Sequence, residues 1–281
     1  MRHLVAGELL AGMVGLAIHR HYLSGRDEAV RARIADLRMI LGDLAASGAP
    51  TLEVPELDAL DGYARWASIY DNSASPMFEY EQAAVRSLLD ILPTGRVLDA
   101  ACGTGRHLAY LHMLGHEVAG FDQCPEMLTV AKAKVPGADL RIAKLDQIPW
   151  PDCSFDTVVC ALALTHEPDL AGPIRELARV VRPGGRVVIS DIHPVGIIID
   201  YQALFELSNG ALGFVRNYRH LHSEYLDSFG TIGLQVRRCL EPVACLGIGL
   251  LGSQASELFS EAAAMAYLGL PMVLVWDLDR L

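Results

Sequence analysis

The chain has no run of lysine or arginine: 23 basic side chains are scattered among 34 acidic ones, for a net charge of −11 over 281 residues. Binding a phosphate backbone takes a concentrated positive field, so no nucleic-acid partner is expected. No CxxC or Cys/His spacing suited to zinc occurs among the six cysteines. Cys102, Cys160 and Cys239 sit in apolar strand-like or loop stretches, where a free thiol behaves as a small hydrophobe. A reduced, cytoplasmic protein is the expectation. Nor is there an apolar run long enough to span a bilayer. Residues 3–18 come nearest, but Glu8 interrupts them, Arg2 is the only positive flank, and His19, Arg20 and His21 follow in place of a small-residue cleavage site. That pattern does not match a signal peptide. A buried or partner-packed helix is expected there, with no membrane association.

Hydrophobic residues make up 52% of the sequence, enough for one sizeable α/β domain with an appendage and for an apolar substrate cavity or subunit surface besides. Between Asp27 and Leu44, Val30, Ile34, Leu37, Leu41 and Leu44 fall on one helical stripe, and Ser24 and Asp27 are spaced as a capping box. Ala49–Pro55 reads as a linker. We therefore expect a helical extension over 1–55 and a second domain over 56–281. Neither N-terminal helix is needed to close a sheet, so they are expected to form the interface of a homo-oligomer. Pro76–Leu92 is again helical in pattern.

From residue 95 short apolar runs alternate with amphipathic segments. Strands are expected at Arg96–Ala100, Glu117–Asp122, Leu140–Ala143, Thr157–Ala161, Arg186–Asp191, Leu234–Leu240 and Met272–Asp277. Helical patterns lie between the first five, as at His107–Leu114, Glu126–Lys134 and Pro173–Val181. This alternation means parallel βαβ units and a doubly wound sheet.

The first strand runs through Val97-Leu98-Asp99-Ala100 into a Gly103-x-Gly105 turn and then a helix. Such glycines let the backbone approach a ligand, and the helix N-terminus offers free N–H groups. Asp122, at the tip of the second strand, is placed to accept hydrogen bonds from ribose hydroxyls. A dinucleotide fingerprint would need a third glycine where Leu108 stands. Asp99, just before the loop, would repel a phosphate but attract the cationic amino group of S-adenosylmethionine (SAM).

The stretch Val97–Gly105 resembles motif I of the class I SAM-dependent methyltransferases, and Asp122 with Pro125, Met127 and Leu128 resembles their second motif. Pro149–Asp156 is similar to the segment leading into their fourth strand, and Arg175–Gly185 to the helix and turn before their fifth. The resemblance runs from about Tyr63 to Leu240. It implies a Rossmann-like, doubly wound seven-stranded sheet with an antiparallel last strand, with SAM as cofactor and S-adenosylhomocysteine (SAH) as its product. It further implies that Gly103 and Gly105 line the methionine moiety, Asp99 holds its amino group and Asp122 binds the ribose, with Ala101, Gln123 and Ala161 beside them. The acid that often binds adenine in this family falls on Lys144, which leaves Asp146 or the backbone at Leu145 for that contact.

Methyl transfer from a sulfonium is an in-line displacement, so the protein supplies alignment, an apolar enclosure and sometimes a base. The acceptor should lie beyond the carboxyl ends of the strands. The fourth strand is followed by Ala161–His166, the fifth by Asp191–Pro194 and an insertion over 193–222 expected to cap the substrate. His166, His193, His220, His222 and Tyr225 are the candidates for positioning or deprotonating it, and at least one of these histidines is expected to touch it. Asp191 has no Asp-Asn companion, so transfer without a metal is expected. Tyr63–Asp71 resembles the aromatic stretch that closes over SAM in related small-molecule enzymes, with Tyr63, Trp66 and Tyr70 as a lid. Asp191–Pro194 and Asn217–Tyr225 resemble parts of bacterial specialised-metabolism enzymes that methylate phenols, indoles or quinones. That resemblance implies a small aromatic acceptor, methylated at an indole carbon or a phenolic oxygen. A quinone-type C-methyltransferase of primary metabolism, a non-catalytic SAM-binding protein and a dehydrogenase stay open as alternatives.

Overall fold

Two units divide the chain in the computed structural model, which describes residues 2–23, 27–47, 51–72, 76–207, 210–245 and 260–281. Ser24 of the expected capping box, and Ala49 and Pro50 of the expected linker, lie outside the described residues. One unit comprises residues 1–56 with 243–270, the other 57–242 with 271–281. The expected 56–281 domain is thus interrupted, because 243–270 belongs with the N-terminal unit.

In that unit β1 (Arg2–Val5) pairs antiparallel with β2 (Thr51–Val54), so part of the expected linker is strand. Between them run α1 (Ala6–His21) and α2 (Asp27–Ser47). Met13, Val14 and Ala17 of α1 bury against Ile40 of α2 and against Ala262, Ala263 and Ala266 of a helix at Ser260–Tyr267. The apolar surface expected to await another subunit is therefore covered, in part, from within the unit. The buried face of α2 is also turned from the expected stripe: Arg33 and Ile40 are buried, whereas Ile34 and Leu41 are exposed. A hydrophobic pattern misses this because the inner face includes a charge. Arg33 is tolerated there by ion pairs to Asp36 at 2.7 Å and Glu261 at 3.1 Å.

A short β3 (Glu56–Leu57) follows at the boundary. The larger unit then holds α3 (Ala59–Trp66), α4 (Pro76–Leu89), β4 (Arg96–Ala100), α5 (Arg106–Met113), β5 (Glu117–Asp122), α6 (Pro125–Lys134), β6 (Asp139–Ile142), β7 (Phe155–Ala161), α7 (Ala171–Val180) and β8 (Val181–Ile192). The insertion supplies α8 (Pro194–Ile198) and the antiparallel hairpin β9 (Ala203–Glu206) and β10 (Leu212–Val215); α9 (His222–Thr231), β11 (Leu234–Leu240) and β12 (Val273–Arg280) complete it.

Seven strands form one sheet in the order β11-β12-β8-β7-β4-β5-β6. β4 to β8 are parallel, and β12 lies antiparallel between β8 and β11. The doubly wound sheet with an antiparallel last strand is as expected. Its central strands read as unbroken apolar runs because both faces are covered: Leu98, Val158, Val159, Val187, Val188 and Ile189 are fully buried. On α7, Ile174, Leu177 and Ala178 recur at helical spacing and fill one of those faces. The chain winds one way from β4 through β5 to β6, then crosses back to β7 and β8. The reversal opens a crevice at the carboxyl ends of β4 and β7, where ligands of such sheets bind.

Candidate cofactor and acceptor site

At the end of β4 the backbone turns through three left-handed residues, Ala101 (φ 52°), Gly103 (φ 52°) and Gly105 (φ 77°). Each glycine has its own reason. A Cβ on Gly105 would come within 3.0 Å of the Ala131 Cβ, so its absence lets α5 start close against α6. A Cβ on Gly103 would meet nothing within 4 Å, because it would stand in the cleft. Ala101 holds the same conformation despite its side chain, at a cost of about 1–2 kcal/mol. Leu108 is fully buried; it packs in the core, so no third glycine opens the helix to a pyrophosphate.

The loop is held by Asp122. Its Oδ2 accepts the Gly103 N–H at 2.8 Å and its Oδ1 the Cys124 N–H at 2.9 Å. Burial raises this carboxyl while the backbone donors pull it back down. Each oxygen keeps a lone pair that a ribose hydroxyl could use. Asp99 lies buried beneath the loop, and its Oδ2 has no partner in the structure. Burial pushes that carboxyl up to about 6, against the pull of His107. A buried carboxylate oxygen left unpaired suits a donor such as an ammonium group or a water, which fits the expected methionine end of the cofactor.

A cleft opens beside this loop. Of the expected cofactor residues, Tyr63, Tyr70, Ala101, Gly103, Asp122, Gln123, Leu145 and Ala161 line it. Asp99, Gly105 and Asp146 do not. Lys144, standing where an acid was expected, faces into the cleft, as does Glu167, which the sequence reading did not single out. Burial raises the Glu167 carboxyl, with Asp146 adding to the rise and Lys144 opposing it, so the three charges belong to one neighbourhood.

Only one of the five residues expected to handle the acceptor reaches the cleft. His166 lines it, with its Nε2 2.6 Å from the Tyr63 hydroxyl and its Nδ1 2.9 Å from the Arg216 carbonyl oxygen. A carbonyl only accepts, so Nδ1 carries the proton and Nε2 receives the Tyr63 O–H. Burial lowers the imidazole to about 4. The other four are engaged elsewhere. His220 Nε2 meets the Glu167 carbonyl at 2.8 Å, and the buried Tyr225 hydroxyl donates to Asp191 Oδ2 at 2.7 Å. These contacts tie the insertion and α9 to the segments at the ends of β7 and β8, a structural task that sequence cannot separate from a catalytic one.

His193 and His222 both point Nε2 at Glu241 Oε1, each at 3.0 Å. With ligand atoms within 4.8 Å of one another, the three have the spacing of a metal site. A neutral histidine that ligates through Nε2 must carry its proton on Nδ1 and donate it outward. His193 Nδ1 instead accepts the Val195 N–H at 3.2 Å, capping α8. Its proton therefore sits on Nε2, donated to Glu241, and the trio reads as a hydrogen-bonded clasp between the ends of β8 and β11.

The insertion also works through packing. Phe205 of β9 stacks on Trp66 with ring centroids 4.8 Å apart, and Tyr63, Trp66 and Tyr70 form a continuous ring cluster. α3 is capped by Asp58, whose carboxylate accepts the Asp61 N–H at 2.9 Å. Just beyond α3, Asp71 accepts from the Thr104 hydroxyl at 2.7 Å and pairs with Lys134 at 2.7 Å, fastening the aromatic segment to the glycine loop. Below the loop, fully buried Glu81 accepts from Ser190 Oγ and meets His107 Nε2, both at 2.8 Å. Burial alone would raise the Glu81 carboxyl; His107, Arg106 and Ser190 outweigh that and bring it to about 2. Neither acid was legible beforehand, because a buried acid looks the same in sequence as a surface one.

All six cysteines are free. Cys102 and Cys160 are buried as expected, but Cys239 is exposed, and Cys124 is the third buried one. Among the described residues no helix is long and apolar enough to cross a membrane.

A family model described as a methyltransferase domain matches residues 98–189. The chain is 37% identical over 142 residues to a phosphatidylethanolamine N-methyltransferase of Cereibacter sphaeroides, covering 48% of this chain and 68% of that one. It is 31% identical over 160 residues to methyltransferase GfsG of Streptomyces halstedii, covering 53% and 58%. Among solved structures, a SAM-dependent methyltransferase from Mesorhizobium loti shares the fold with a TM-score of 0.53 and 24% identity, covering 72% of this chain and 98% of that one. The chain spans little more than half the length of the curated relatives that head its matches.

Proposed function

The chain belongs to the class I SAM-dependent methyltransferase family, and on that premise we propose that it methylates a small aromatic acceptor held between the glycine loop and the aromatic segment. The observation that carries this reading is the meeting, in one cleft at the strand ends, of Gly103 and Asp122 with Tyr63 and His166. Bound there, the cofactor supplies an activated methyl group for in-line transfer. Asp122 orients its ribose, Gly103 lets it lie against the backbone, and Asp99 receives its amino group. Tyr63, Tyr70 and Trp66 exclude water from the reacting end. Ala161, Leu162 and Ala163, where the chain leaves β7, give the acceptor an apolar floor.

A natural-product phenol or indole is the acceptor class we favour, with a hydroquinone as the variant nearest to it. The likeness to an N-methyltransferase supports a second reading, in which the acceptor is an amine. Two measurements test the proposal. Calorimetry should detect SAH binding, and mass spectrometry should detect a methylated product from a panel of phenols, indoles and amines incubated with SAM. Binding without any product would leave a SAM-binding protein that does not catalyse. Product from amines alone would replace the aromatic reading with the second.

A further inference from the structure

The Tyr63–His166 pair is placed to do more than close the cleft. Three observations bear on it. The Tyr63 hydroxyl donates to Nε2 across 2.6 Å, at the short end for such a bond. The Arg216 carbonyl fixes the opposite ring nitrogen as the protonated one. Both side chains line the cleft, Tyr63 from α3 and His166 from the turn after β7.

Building on the aromatic-acceptor reading above, the geometry points to Tyr63 and His166 as a two-step proton relay that selects acceptors bearing an ionisable hydroxyl, such as phenols and hydroquinones. The acceptor O–H donates to the Tyr63 oxygen, which keeps free lone pairs while its own proton faces His166. As the acceptor oxygen bonds to the methyl carbon and the carbon–sulfur bond breaks, the acceptor proton passes to Tyr63 and the Tyr63 proton passes to His166 Nε2. One cation enters the step, a sulfonium, and one leaves it, an imidazolium held on the Arg216 carbonyl; the sulfur ends as a neutral thioether. The electron pair of the broken bond stays on sulfur.

The electrostatics agree with this order of events. Burial raises the Tyr63 phenol well above its ordinary value, with Tyr70, Asp122, Asp191 and Tyr201 adding to the rise, so Tyr63 stays protonated and must hand on a proton to accept one. His166 starts neutral, which spares the site two adjacent cations while the sulfonium is present. The same burial holds the imidazole at about 4, so the imidazolium passes its proton on to water after the transfer.

The test uses the full chain with SAM and two probes, phenol and 4-nitrophenol, at about pH 8.5. Phenol keeps its proton there, its pKa lying near the tyrosine value of about 10, while 4-nitrophenol has already lost it. General-base assistance contributes roughly 10²–10⁴-fold. His166→Gln, which still accepts from Tyr63 but takes up no proton, should lower the phenol-to-4-nitrophenol rate ratio by roughly 100-fold. Tyr63→Phe should do the same, with SAH binding by calorimetry showing that each variant is folded. A readout without turnover is nitrogen NMR of the imidazole: Nδ1 protonated, Nε2 unprotonated, and the Nε2 resonance moved by Tyr63→Phe. Equal losses on both probes, or a proton on Nε2, would overturn the relay while leaving the methyltransferase reading intact. If the wild type binds SAH but methylates neither probe, the relay falls, and the aromatic reading is then decided by the indoles of the panel.

Discussion

Replacing Asp122 with asparagine should weaken the fold and cofactor binding by separate and similar amounts. The carboxylate takes two backbone N–H groups, from Gly103 at 2.8 Å and Cys124 at 2.9 Å, one on each oxygen. An amide of the same shape has one oxygen, so its NH₂ must face one of those donors. A hydrogen bond to a charged group is worth about 1.5–3 kcal/mol. Losing one such bond within the protein should lower the Tm by several degrees, at roughly 2–4 °C per kcal/mol for a chain of this size. The ribose loses its anionic acceptor as well, a further 1.5–3 kcal/mol, which corresponds to a Kd for SAH raised by roughly 10- to 150-fold. Titration calorimetry reads the second effect and thermal denaturation the first. An SAH Kd within about threefold of the wild-type value would show that Asp122 merely braces the loop, and would refute the ribose assignment.

Ala101→Gly removes a side chain from a left-handed residue; set against the greater freedom of an unfolded glycine, the net gain should be about 0.5–1 kcal/mol by urea denaturation, and a loss would mean that Ala101 is unstrained. Glu81→Ala leaves His107, Ser190 and Arg106 without their acceptor in the core and should cost about 3 kcal/mol or more by the same measurement. Glu81 also shapes the acid limb of stability. Its carboxyl is held at about 2, below the ordinary 4.5, so its contribution is complete above pH 4.5 and lost as pH falls toward 2; with Glu81→Gln, thermal melts across that window should show a shallower slope. Asp191 has the opposite sign. Burial raises it from 3.8 to about 7, so between those values the folded state holds a proton that the unfolded chain has released, and stability falls as pH rises. Asp191→Asn should flatten that decline, and an unchanged Tm–pH curve would show that Asp191 is ionised in the fold.

How far the sequence can be read depends on whether a residue's task is local. β4 and β5 fall where the apolar runs placed them, because strands covered on both faces leave an unmistakable texture. Gly103 and Asp122 could be found for a similar reason: a left-handed turn and a strand-tip acid are set by their own stretch of chain. The histidines could not be ranked. His166, His193, His220 and His222 differ only in what lies opposite them, respectively Tyr63 and Arg216, Glu241, the Glu167 carbonyl, and Glu241 again. Each of those partners is brought in by the fold from 19 to 103 residues away. Arg33 shows the same blindness from the other side, since a hydrophobic stripe cannot foresee a buried arginine whose partner lies 228 residues away at Glu261. The insertion illustrates the difference most fully. Its histidines advertised chemistry, yet what it supplies is the Arg216 carbonyl on His166 and the Phe205 ring on Trp66. A backbone oxygen carries no residue-type signal, so no sequence pattern could have marked it, although it decides which nitrogen of His166 is free to act.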